Sequence, residues 1–208
     1  MKIAIIDFQL GNMFSVIQAC GLFGFSPEVT SDPGKILAAD ALILPGVGAF
    51  AEAMKNLREN SLDEVIIESI KKGKPLMGIC LGMQLLFDAS NEFENERGLG
   101  LLPGKILKIP AKTGRKIPLI GWNKIEAGEK SWADSPLKGL KNEDFMYFVH
   151  SYYCEPASEK DQLCVTNYEG FVYCSAVLRE NIFATQFHPE KSGPIGLSIY
   201  KNWLENIV

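Results

Sequence analysis

The sequence predicts an α/β fold: three layers around a mostly parallel central sheet, which antiparallel strands extend in the second half of the chain. Three observations carry this. Through residues 1–90, short apolar runs alternate with segments of helical period. One such run, 75–79, passes directly into a helical pattern at Cys80, with Gly78 and Gly82 two positions to either side. From about residue 105 onward, strand-like segments follow one another with little helix between them.

The first strand is 2–7, an apolar run ending at Asp7 that suits a strand buried on both faces. Gln9-Leu10-Gly11-Asn12 reads as a turn, and 13–23 as an amphipathic helix. A short strand over 27–30 precedes an apolar strand over 41–44, which runs into Pro45-Gly46-Val47-Gly48. Residues 49–72 keep a helical period through Phe50, Met54, Leu57, Leu62, Val65, Ile66 and Ile70. Strand 75–79 and a helix over 81–89 follow, then a polar, acidic loop over 91–97 and a turn-rich connector over 98–104. Further strands are expected at 105–109, 116–126, 145–154, 163–168, 171–178 and 182–187, and a last helix at 193–207. The later strands are expected to join the first sheet. No linker-like stretch divides the chain, so one domain over 1–208 is expected.

Composition narrows the function. With 47% apolar and 22% charged residues the chain reads as an ordinary globular protein. A net charge of −4 argues against a nucleic-acid surface, which would carry a basic excess. The densest basic run, Lys71-Lys72-Gly73-Lys74, suits a solvated helix end. No apolar stretch reaches the length of a membrane span. The five cysteines form no C-x-x-C pair and are odd in number, which points to reduced thiols in the cytosol. Two histidines give no metal-ligand spacing, so neither metal nor cofactor is expected.

Function groups in a parallel sheet gather at the carboxyl ends of the strands. Three candidates end strands here: the 45–48 loop, Cys80, and His188-Pro189-Glu190. Cys80 sits on a strand–turn–helix elbow with small neighbours, the arrangement that projects a nucleophile outward. A lone buried cysteine is commonly an apolar filler; the distant His188-Pro189-Glu190 gives this one a partner. An unassisted thiol is only a few per cent ionised at neutral pH. A base such as His188 raises that fraction and can carry the proton to a leaving group. Glu190, held two residues away by Pro189, can fix the imidazole tautomer. Gly46, Val47 and Gly48 form either a plain turn or, with the Leu81 N–H, an oxyanion hole.

The joint motifs Gly78-Ile79-Cys80-Leu81-Gly82-Met83-Gln84 and Gln186-Phe187-His188-Pro189-Glu190-Lys191-Ser192 resemble the class I (triad) glutamine amidotransferases. The stretches 45–50, 98–104, Gly121-Trp122-Asn123 and 147–152 are similar, more narrowly, to the glutaminase subunits of imidazole glycerol phosphate synthases. The resemblance implies that Cys80 attacks the carboxamide of L-glutamine, His188 transfers protons and Glu190 orients His188. It implies that Val47 and Leu81 hold the oxyanion, and that Gln84, Ser151 and Tyr152 contact the substrate. It also implies a cyclase partner of (β/α)8-barrel type that receives ammonia, near Asn12, Trp122, Tyr147 and Lys191. The pattern departs at Phe8-Gln9, where the family commonly has tyrosine-glycine, and at Pro118-Leu119, where a histidine is common. An ammonia-supplying subunit of another synthase, a stand-alone γ-glutamyl hydrolase and a non-catalytic subunit stay open as alternatives.

Overall fold

The computed structural model describes residues 1–93 and 95–206. Positions 94 and 207, which the expected acidic loop and last helix include, lie outside the described residues.

The parallel core consists of β1 (Ile3–Ile6), β2 (Glu28–Thr30), β3 (Ala41–Gly46) and β4 (Leu76–Cys80), in the order β2-β1-β3-β4. A late strand, β14 (Ile182–Thr185), lies parallel beside β4. Every residue of β1, β3, β4 and β14 is buried, which is why these segments read as unbroken apolar runs. Alternate side chains feed two cores. Ala4, Ile6, Leu42, Leu44 and Leu76 face one side, with α2 (Pro33–Ala38), α3 (Phe50–Glu59) and α4 (Leu62–Lys71) packed over them. Ile3, Ile5, Ile43, Met77 and Ile79 face the other, under α1 (Met13–Gly21) and α6 (Gly193–Asn206).

Beyond β14 the sheet turns antiparallel through β13 (Phe171–Arg179) and β11 (Tyr152–Pro156). It continues through β7 (Leu102–Lys108) and β5 (Phe87–Ser90) to β6 (Glu96–Arg97). β12 (Gln162–Tyr168) and β9 (Glu126–Ala127) branch from β13. The expected α/β class with an antiparallel extension is the fold observed.

Several boundaries differ from expectation, each for a physical reason. The long helical pattern 49–72 breaks into α3 and α4 at Asn60 and Ser61, where Ser61 takes the left-handed φ of 54°. Helix α2 falls in the unassigned stretch after 30; Asp32 caps it, accepting from the N–H groups of Gly34 (2.7 Å) and Lys35 (3.1 Å). The helix after Cys80, α5 (Leu81–Leu85), stops four residues early. The Leu85 and Leu86 carbonyls accept from Leu99, Leu101 and Leu102, and Phe87–Ser90 is captured as a strand beside β7. The expected strand 145–154 is two: β10 (Phe145–His150) pairs only with β8 (Leu119–Lys124), forming a separate two-stranded sheet, while β11 joins the main one. The expectation that all later strands join one sheet is thereby corrected. The chain changes sheet at Ser151, whose carbonyl accepts from the Ile109 N–H (2.9 Å).

Gln9, exposed at the end of β1, has φ 70°. A side chain there costs about 1 kcal/mol that glycine avoids. Gln9→Gly is expected to raise unfolding stability in urea by roughly 0.5–1 kcal/mol; a loss of stability would show that the side chain contributes more than the strain costs.

Candidate active site

Two strand ends bring the site together. β4 and β14 are parallel neighbours with Thr185 opposite Ile79, so Cys80 and the 186–190 segment leave the sheet at the same edge. Cys80 has φ 56° and ψ −111°, off the allowed regions for an L-residue, and heads α5 directly. The glycines make this possible. A Cβ on Gly82 would stand 1.7 Å from the Leu44 carbonyl oxygen, and one on Gly78 would meet the Ala184 Cβ at 3.0 Å. A Cβ on Gly46, at the end of β3, would meet Phe8, Leu81 and Gly82 at 3.0–3.2 Å.

His188 Nδ1 donates to Glu190 Oε1 at 2.7 Å, and the two side chains are 3% and 2% exposed. The carboxylate can only accept, which fixes the tautomer with Nε2 left over. Nε2 is buried without a well-formed hydrogen bond, and the Cys80 sulfur is the group that acts on it. Burial disfavours the imidazolium, but the Cys80 sulfur and the Glu190 carboxylate outweigh it and push the His188 pKa up to about 10. Three bonds pin the backbone of this segment: His188 N–H to the Tyr147 carbonyl (2.9 Å), Tyr147 N–H to Ser192 Oγ (3.0 Å), and Ser192 Oγ–H to the His188 carbonyl (2.7 Å).

The triad opens on a cavity of about 440 Å³. Val47, Gly48, Cys80, Leu81, Gln84, Ser151 and Tyr152, all named from the sequence, line it. So do Glu92, His150 and Lys191. A second hollow of about 390 Å³, near Pro75, Asn181 and Trp203, lies at the opposite, amino end of β4 and β14, away from this chemistry.

Gln84 Nε2 donates to the Tyr152 carbonyl (3.0 Å) and to Gln186 Oε1 (2.9 Å), so its own oxygen is left for a donor on a ligand. Tyr152 is tethered through its hydroxyl to the Glu92 carbonyl (3.2 Å), and Glu92 Oε2 accepts from the Phe50 N–H (2.6 Å) at the start of α3. Leu81 N–H is in the first turn of α5, where helix donors lack intrahelical partners. Val47 N–H, by contrast, is engaged: it donates to the Leu10 carbonyl at 3.1 Å. Gly48, next to it, has φ 105°, a conformation glycine adopts freely.

The four residues expected at a partner surface divide. Trp122 is 52% exposed and meets the Tyr147 ring edge-on at 6.0 Å, so it is no core aromatic. Lys191 Nζ lies 6.0 Å over the same ring. Phe14 and Ile120, 70% and 64% exposed, are further large apolar side chains on the surface. Asn12, half-buried, also caps α1, its Oδ1 accepting from Ser15 N–H at 3.4 Å.

Sequence reading did not single out Gln186, His150 or Glu92. The first two lie inside quoted motifs, so their position was available; their burial against the site was not. His150 is buried and its pKa is pushed down to about 4, mainly by burial, with the Tyr152 carbonyl opposing and His188 adding to the shift.

A conserved-domain comparison agrees with this geometry: residues 4–207 match the family described as glutamine amidotransferase class-I. The chain belongs to the class I glutamine amidotransferases. Its relatives narrow the group. "Imidazole glycerol phosphate synthase subunit HisH" of Moorella thermoacetica is 45% identical over 203 residues, covering 98% of this chain and 94% of that one. The protein of the same name from Aquifex aeolicus is 46% identical over 204 residues, covering 98% and 96%. Within the class I family, this chain therefore falls among the HisH glutaminase subunits. Among solved structures, one described as "Crystal structure of glutamine amidotransferase" superposes with a TM-score of 0.75 at 18% identity over 98% of both chains, a likeness of fold.

Two predictions follow from this geometry. Gly82→Ala is expected to lose more than about 3 kcal/mol of stability, because the Leu44 backbone 1.7 Å away must move, while Gly78→Ala meets Ala184, Leu86 and the Met83 nitrogen only at 3.0–3.2 Å and loses roughly 1–2 kcal/mol; equal losses in urea titrations would refute the elbow argument. Glu190→Gln removes one of the two groups that hold the His188 proton, so in an NMR titration the imidazolium should lose its proton at lower pH than it does in the wild type. An unmoved titration would mean the carboxylate does not act on the ring.

Proposed function

We propose that residues 1–208 act as one glutaminase domain that hydrolyses L-glutamine to glutamate and ammonia. The ammonia is delivered to a cyclase subunit of (β/α)8-barrel type, which forms imidazole glycerol phosphate and AICAR in histidine biosynthesis. The observation that supports this reading is a buried Cys80–His188–Glu190 array at the edge of a cavity lined by the expected substrate-contacting residues.

Cys80 attacks the carboxamide carbon as thiolate, and its oxygen becomes an oxyanion. The His188 imidazolium, held charged by sulfur and carboxylate, protonates the nitrogen, and ammonia leaves. Once the sulfur is acylated, the negative charge that favoured the imidazolium is gone. The neutral ring now takes a proton from water, which attacks the thioester and frees glutamate and the sulfur. Glu190 stabilises the cation in both directions. Gln84, Ser151 and Tyr152 hold the amino-acid end, with the Gln84 oxygen accepting from a substrate N–H.

Leu81 N–H is one oxyanion donor. Val47 is the second, and it becomes available when the 45–48 loop releases Leu10. Ammonia that reaches neutral water is protonated and no longer nucleophilic, so a partner has to cover the site. The exposed Trp122 and Ile120 of β8 and the Tyr147–Lys191 pair offer an apolar surface with a cation for it, and Phe14 on α1 is exposed as well. Asn12 stands at the head of α1 beside Phe14. No helix among the described residues is long and apolar enough to cross a membrane, and five unpaired, buried cysteines suit a reducing cytosol. A stand-alone hydrolase is the weaker reading, since the engaged Val47 N–H leaves it one donor short.

The test mixes the purified chain with glutamine, alone and with the cyclase and its ligand. Losing one oxyanion donor costs roughly 10²–10³ in rate, so glutamate release should rise at least about 100-fold in the full mixture. Cys80→Ala should fold and release none. No glutamate under any condition, or undiminished activity in Cys80→Ala, would reject the reading.

A further inference from the structure

Gln186 is wholly buried two residues before His188, and no step above uses it. Its amide closes a chain of hydrogen bonds whose direction is forced. The Tyr152 carbonyl can only accept, so the Gln84 atom facing it at 3.0 Å is Nε2. The same nitrogen meets the Gln186 amide at 2.9 Å, where only Oε1 can receive it. Gln186 must then present Nε2 on its other side, and the Cys80 sulfur lies there at 3.7 Å.

We propose, on the basis of the glutaminase reading above, that Gln186 is a further catalytic residue whose amide N–H donates to Cys80 Sγ and stabilises it as thiolate. An amide does not titrate, so this donor persists through the cycle. His188 does not: after giving its proton to ammonia it has none for the sulfur. The Gln186 N–H therefore matters twice, when the thiolate attacks and again when sulfur leaves the second tetrahedral intermediate carrying the electron pair of the broken C–S bond.

The surrounding titratable groups leave room for this role. His188, with Glu190 behind it, supplies positive charge from the turn after β14. His150 on β10 is held neutral, chiefly by burial. Cys154 on β11 is kept as a thiol, chiefly by burial and also by Cys174 and Cys80. Glu92 and Lys191 line the cavity with opposite charges.

The experiment measures iodoacetamide modification of Cys80, read on its own peptide by mass spectrometry, in wild type, Gln186→Met and Gln186→Leu. Both variants are apolar and of similar volume, and thermal unfolding identifies which are folded; one folded variant suffices. A hydrogen bond to a charged group is worth roughly 10- to 100-fold, so modification near pH 7 should slow by that factor. The gap should close by about pH 10, where ionisation no longer needs the donor. In the complex with the cyclase, kcat for glutamine should fall while KM stays within about twofold. Wild-type modification rates near neutral pH, or slowing by the same factor at every pH, would overturn the proposal and leave Gln186 a packing residue. A wild-type Cys80 that is inert at all pH values would overturn the glutaminase reading itself.

Discussion

The site rests on how closely the first turn of α5 approaches β3. Gly82 lies against the Leu44 carbonyl with no room for a methyl group, and this contact sets the angle at which the chain leaves β4. Cys80 takes the resulting bend in its own backbone, at a cost of order 1–3 kcal/mol. Leu81, Met83, Leu85, Leu86 and Phe87, which follow at once, are almost completely buried. Each such side chain contributes roughly 1.5–3 kcal/mol, so the packing of five easily outweighs one strained residue. Cys80 is thus placed by the core beneath it, and needs no ligand to be in position.

The other half of the site comes from far along the chain and is fixed differently. β14 delivers it, and the Tyr147–Ser192–His188 bonds lock it to the small β8–β10 sheet. The two histidines show what the surroundings do. Both are buried, so desolvation pushes both toward neutrality. His150 finds a carbonyl and the Tyr173 hydroxyl and remains neutral. His188 finds a carboxylate and a sulfur that can be negative, and its pKa moves the other way. Anionic partners, not depth of burial, separate the imidazole held neutral from the one held charged.

Much of this was legible in the sequence because buried parallel strands and their helices write their periods plainly. Cys80 and the His188-Pro189-Glu190 segment could be paired because each ends a strand, and parallel strands end at one edge. What the sequence hid were tertiary overrides. Nothing local stops the helix at Leu85; distant leucine N–H groups do. Nothing local moves the chain between sheets at Ser151; competition between β8 and β7 for partners does. Asn12 also serves as the cap of α1, a use its place before 13–21 signals. Gln186 was invisible as a functional residue because its role depends on Gln84 and Tyr152, both remote in sequence.

The Val47–Leu10 bond gives the remaining link between structure and control. A single backbone hydrogen bond contributes a net of roughly 0.5–1.5 kcal/mol. An oxyanion donor is worth roughly 2.7–4 kcal/mol in the transition state. On the proposed reading, the free chain therefore sits in a conformation held by little, yet distant from the competent one by a large factor in rate. A partner need bind the released loop only slightly better than the engaged one to shift that balance, since the population responds to the difference in affinity. Leu10 lies between Gln9, whose backbone is already in an unfavourable region, and Asn12, which caps α1. The turn whose Leu10 carbonyl engages Val47 thus lies between that strained residue and the helix carrying exposed Phe14.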